Sequence, residues 1–105
     1  MALFVLIATH SSDQCPTANE KTRKLFGADP APIMALAQKL GVKPVVGPLV
    51  STEHRTFVVM EAQKVEAVRD FVMQSGLIQW NSVEIINVIT QEEAIKEIAA
   101  LTPIY

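Results

Sequence analysis

The chain has one cysteine among its 105 residues, so no internal disulfide can form, and nine Lys and Arg against eleven Asp and Glu leave a net charge of -2. A lone cysteine suits a reducing compartment, and with no targeting segment the expected localisation is cytoplasmic. Without a basic surplus there is little to neutralise phosphates, so nucleic acid and anionic membrane are not expected partners. Lys21, Arg23 and Lys24 form one short basic cluster, which reads as a solvated helix face. Glycine is scarce as well. Gly41, Gly47 and Gly76 stand alone, each with a cap or bulge to explain it, so there is no phosphate-cradling glycine loop. The apolar run Ala2 to Ala8 is seven residues long, against about 20 for a helix that spans a bilayer. It also lacks the basic flank and small-residue cleavage site of a signal peptide. Internal repeats and low-complexity stretches are absent.

What the chain does have is apolar surface to hide. Half of its residues are hydrophobic and 19% are charged, which excludes a disordered chain and fits a single domain, residues 1–105, around one core. The run Ala2, Leu3, Phe4, Val5, Leu6, Ile7 and Ala8 organises that domain. In a strand, Phe4, Leu6 and Ala8 point one way and Leu3, Val5 and Ile7 the other, so both faces have to be covered. The polar residues that follow, Thr9, His10, Ser11, Ser12, Asp13, Gln14 and Cys15 before Pro16, are where chemistry would sit.

Along the rest of the chain, Thr17 with Glu20 makes a capping-box pattern for a helix through Leu25 and Phe26, ended by Gly27. A second helical piece follows, with Asp29 as cap, Pro30 in the first turn, and Ile33, Met34, Leu36, Ala37 and Leu40 on one stripe before Gly41. Val42 to Leu49 is β-branched but interrupted by Pro44 and by Gly47-Pro48, which confines it to a sheet edge because proline donates nothing to a ladder. Ser51, Thr52 and Glu53 make a polar turn, and Arg55 to Glu61 returns as its antiparallel partner. Val65, Val68, Phe71 and Val72 recur at helical spacing within Ala62 to Ser75, and Gly76 follows as the cap. Leu77 to Asn81 leads to a fourth strand, Ser82 to Thr90. Thr90 and Glu93 then open a tail helix that runs through Ile95, Ile98 and Leu101 to Pro103.

The order β-α-β-β-α-β with a tail helix is the split βαβ, ferredoxin-like arrangement, an α+β fold. Right-handed crossovers put both packing helices on one face of a four-stranded antiparallel sheet, with the first and third strands central. The other face is then apolar and open, and such a face is expected to meet another sheet. In this the chain resembles the dimeric α/β-barrel superfamily, in which two ferredoxin-like sheets pack face to face. That superfamily includes haem-handling and quinone-forming monooxygenases, muconolactone isomerase-like enzymes and stress-responsive barrel proteins. The resemblance implies a homodimer with a small-molecule pocket, inside the barrel or between sheet and helices, and carries no catalytic residue over.

Candidate site residues come from the topology. First and third strands that are antiparallel neighbours bring His10 beside His54, with Cys15 in the same loop as His10. Imidazole, thiolate and, from Asp13 or Glu53, carboxylate suit zinc, copper or nickel. The same residues fit a second chemistry, with Cys15 as nucleophile and His10 or His54 as base. Pro16 at a helix start would make Cys15 an N-terminal thiol with a stabilised thiolate. Against this stands the plainer reading of a small buried thiol and a loop histidine bonded to backbone. Trp80 and Asn81 precede the last strand and are candidates to wall a pocket or cofactor site, with a dimer contact or plain packing for Trp80 and a turn for Asn81 as the alternatives. Glu61 and Glu84 fall in apolar strands as a candidate buried acid pair, although exposure at a strand end or sheet edge explains them more cheaply. The function expected is therefore a ligand-binding or enzymatic barrel of the monooxygenase or isomerase kind; the alternatives are a non-catalytic metal-binding or sensor module and a pure assembly protein.

Overall fold

A computed structural model describes residues 1–105. Four strands, β1 (Ala2–Thr9), β2 (Lys43–Val50), β3 (Arg55–Ala62) and β4 (Ser82–Val88), form one antiparallel sheet in the order β2-β3-β1-β4. This is the ferredoxin-like arrangement, with β1 and β3 central and the proline-bearing β2 at an edge. The prolines leave their mark: the β2–β3 register slips between Pro44 and Val46 and again between Val46 and Leu49.

Helices α1 (Glu20–Phe26) and α2 (Ala31–Leu40) make the first crossover and α3 (Val65–Gln74) the second, while α4 (Gln91–Ala99) follows β4. Val68, Phe71 and Val72 of α3 are all buried, as their spacing predicts. They close on Phe4 and Leu6 of β1, Met60 and Ala62 of β3, and Ala37 and Val42 from the first crossover. Fully burying a side chain such as Val68 contributes about 1.5–3 kcal/mol, so this cluster is what holds sheet and helices together.

The remaining helices do less than their sequences imply. Asn19, rather than Thr17, caps α1, its side chain accepting from the Thr22 N–H at 3.1 Å, and the helix buries only Thr22. On α2 the buried residue is Ala37, whereas Ile33 and Met34 are exposed. Asp29 does serve the α2 start, accepting from the Ala31 N–H at 3.0 Å. The apolar stripe of α4, Ile95 and Ile98 with Leu101 just beyond it, is exposed throughout. The sheet face opposite α2 and α3 is therefore left open within the chain.

Candidate functional site

Both neighbours of β1 run antiparallel to it, so the loop leaving β1 meets the start of β3 and the start of β4 at one end of the sheet. His10 comes from the first segment, His54 from the second, and Trp80 and Asn81 from the third. The His10 N–H donates to the His54 carbonyl at 3.1 Å, extending the β1–β3 ladder by one bond. That bond holds His54 in the left-handed region, φ 64°, a conformation that L residues adopt at a cost of about 1–2 kcal/mol. The two imidazoles meet edge to face with ring centroids 5.4 Å apart, and Trp80 lies tilted against His10, also at 5.4 Å.

Cys15 reaches the same point. One ligand atom from each of His10, Cys15 and His54 lies within 4.8 Å of the other two, and Cys15 is buried. The thiol does not stand at a helix start, as the Pro16 pattern implies. It follows a short 3-10 turn, Ser12–Gln14, and its carbonyl accepts from the Ala18 and Asn19 N–H groups, so α1 begins only at Glu20. The stabilisation of its thiolate has another source. The Thr17 hydroxyl donates to Sγ at 3.0 Å, and this bond, the Thr17 backbone N–H and the imidazoles of His10 and His54 lower the Cys15 pKa to about 6 against the opposing effect of burial. The loop is pinned from α1: Arg23 donates from Nε to the Pro16 carbonyl at 2.7 Å and from its guanidinium to the Thr17 carbonyl at 2.8 Å. Lys21, Arg23 and Lys24 are all exposed on α1, as expected of a solvated face, and Arg23 serves in addition as a clamp on the loop.

The protonation of His10 follows from its neighbours. The Asn81 amide nitrogen donates to the Leu77 carbonyl at 3.2 Å, and that carbonyl can only accept, so Asn81 Oδ1 is the atom 3.3 Å from His10 Nδ1. Nδ1 therefore carries the proton in the neutral ring. In the neutral ring Nε2 keeps its lone pair and is buried with no hydrogen-bond partner; only the imidazolium would carry an N–H there to donate to the Cys15 thiolate. Buried polar atoms are nearly always paired, which marks this nitrogen as one that serves something else.

The topology-based expectation that His10, Cys15 and His54 converge agrees with this geometry, and Trp80 and Asn81 flank the cluster. The carboxylates are not part of it. Asp13 is exposed and takes a hydrogen bond from the Ser11 hydroxyl, which lowers its pKa, and Glu53 is exposed in the β2–β3 turn. Glu61 and Glu84 are no pair, because Glu61 stands opposite Leu3 and Glu84 opposite Ile7 on the two sides of β1. Sequence reasoning missed Thr17 as the thiol's partner. It also missed Asn81 as the group that orients His10; the signal was the same antiparallel rule that placed His54, applied to β4.

No family model matches the chain, and no curated protein matches it. Among solved structures, the chain is similar to the crystal structure of a dimeric ferredoxin-like protein from an uncultured marine organism, at 12% identity and a TM-score of 0.49, over 87% of this chain and 95% of that one.

Proposed function

We propose that the protein is a homodimeric α/β barrel that binds and acts on a small molecule through electron-pair donation from the Cys15 thiolate and the His10 and His54 imidazoles. It is a ligand-binding or enzymatic barrel of the monooxygenase or isomerase kind, with Trp80 and Asn81 lining the site. The observation that carries the site is the buried, unpartnered His10 Nε2 in a cluster whose donor atoms lie within 4.8 Å of one another. A merely structural histidine would have used that nitrogen.

The dimer is supported by surface area. Globular scaling gives an 11.5 kDa monomer about 5,800 Å² of accessible surface, whereas this chain exposes 7687 Å², roughly 1,900 Å² more. Its radius of gyration is 16.2 Å, against about 13 Å for a compact domain of this length. A second copy that covered most of the excess on each protomer would bury about 3,000 to 4,000 Å² in total, the range of permanent homodimers.

The test of the site is alkylation of Cys15, the only thiol, by iodoacetamide in chelator-treated protein at pH 6.5. Native protein is expected to react faster than the same protein unfolded in urea, because the fold holds the thiolate. Reaction only in the unfolded state would make Cys15 an inert core thiol and remove the centre.

A further inference from the structure

We infer that His10, Cys15 and His54 form a three-ligand metal site for a thiophilic first-row ion of the zinc type, with a fourth position left open. The inference rests on the reading of this cluster as the functional centre and names what accepts its electron pairs.

The donor set selects the ion. One thiolate sulfur and two imidazole nitrogens are the ligands zinc takes, and the exposed Asp13 and Glu53 stand outside the cluster, so the oxygen cage that calcium or magnesium needs is missing. With metal–nitrogen bonds of about 2.0–2.1 Å and a metal–sulfur bond of about 2.3 Å, a tetrahedral ion holds its ligands roughly 3.3 to 3.7 Å apart. The widest separation here is within 4.8 Å, so loading needs a contraction of at most about 1.5 Å, within reach of small side-chain rotations.

The surroundings are those of a metal ligand. Histidines that bind metal donate their other ring N–H to a carbonyl or carboxylate, which fixes the tautomer and the ring plane. His10 does this through Nδ1 to Asn81 Oδ1, and Asn81 is itself buried and fixed by the Leu77 carbonyl. Nε2 is then aimed nowhere else. Three bonds form on loading, from Sγ and from one lone pair on each imidazole, and the only proton that has to leave is the one on Cys15 when it is a thiol. Three protein ligands rather than four are the pattern of catalytic zinc, which keeps one position for water or substrate. That position is where the small molecule of the proposed function would bind.

The test is titration of the chelator-treated protein with Co²⁺, read by visible absorption, and with Zn²⁺ against a chromophoric chelator. One equivalent per chain should bind, with tetrahedral cobalt bands and a thiolate-to-cobalt charge-transfer band. Cys15→Ser should abolish the charge-transfer band and His10→Ala should abolish tight binding. Asn81→Leu, which touches no metal, should weaken Zn²⁺ binding about 10- to 100-fold. If Cys15→Ser fails to fold, His54→Ala in the β2–β3 turn tests the site instead, and should weaken Co²⁺ and Zn²⁺ binding while any residual cobalt complex keeps its charge-transfer band. Absence of the charge-transfer band in wild type, or Zn²⁺ affinity unchanged in His10→Ala, overturns the metal site. Fast alkylation of Cys15 with no metal binding would sink this inference and leave the thiolate centre standing, whereas an inert Cys15 in metal-free native protein would sink both.

Discussion

At the scale of the residue, the site turns on how a thiol away from any helix start keeps its thiolate. Thr17 is the main reason: its hydroxyl is the first of the groups that bring the Cys15 pKa down to about 6, with its own backbone N–H next and His10 and His54 after it. The folded value lies below the unfolded one, so the thiolate's contribution to stability is fully present above the unfolded pKa and is lost as pH falls through about 6. The alkylation rate of metal-free wild type should therefore rise with pH and reach half its maximum near pH 6. Thr17→Val, which keeps the shape and removes the donor, should move that midpoint upward, toward the ordinary thiol value of about 8.5. A midpoint unchanged in Thr17→Val would assign the stabilisation to the imidazoles instead. The two histidines and the cysteine were legible in the sequence because strand order alone brings their segments together. Thr17 was not, because a threonine three residues before a glutamate at a helix start has an equally good reading as a cap, and only the turn at Cys15 to Asn19 decides between them.

At the scale of the element, the strands were legible, as were the Thr90 start of α4 and the Gly41 end of α2, whereas the start of α1 was not. The unbroken apolar run of β1 and the prolines of β2 mark the strands, and a slip of one residue would turn every buried side chain of β1 to the other face. Helix ends depend on single hydrogen bonds, and Asn19 and Thr17 compete for the same role until the loop is placed. Gly47 shows how tightly the irregular edge is specified. It sits at φ 93°, and a Cβ there would lie 2.6 Å from the Phe57 carbonyl oxygen and 3.0 Å from the Leu49 nitrogen, both backbone atoms that cannot step aside. Gly47→Ala should cost about 1–3 kcal/mol from the backbone conformation alone, and more from the clash. Urea unfolding measures this. The expected outcome is a lower midpoint with an unchanged slope, and a midpoint equal to wild type would mean that β2 is free to shift away from β3.

At the scale of the whole molecule, the open sheet face decides what the protein is in solution. The register lays an unbroken apolar row across all four strands, Val46 to Val59 to Val5 to Ile86, with Leu49, Phe57 and Ile7 in the next row. Charge is confined to the margins of this face, with Lys43 opposite Glu61 in one row and Glu84 beside Ile7 in another. The apolar side chains of α4 do not cover it, since Ile95 and Ile98 are exposed, and the body is 54 Å long and only 18 Å thick. Sedimentation equilibrium at micromolar concentration should therefore give a species of twice 11.5 kDa. Val5→Glu puts a carboxylate at the centre of the apolar row, and two-fold symmetry buries it twice. At about 3 kcal/mol or more for an unpaired buried charge, the dissociation constant should rise by more than a hundredfold, enough to expose a monomer. The cluster of His10, Cys15 and His54 is built from one chain, so the monomeric variant should keep the wild-type pH profile of Cys15 alkylation. A wild-type chain that sediments as a monomer would leave the apolar row without a partner and overturn the barrel, while leaving the cluster at the end of the sheet untouched.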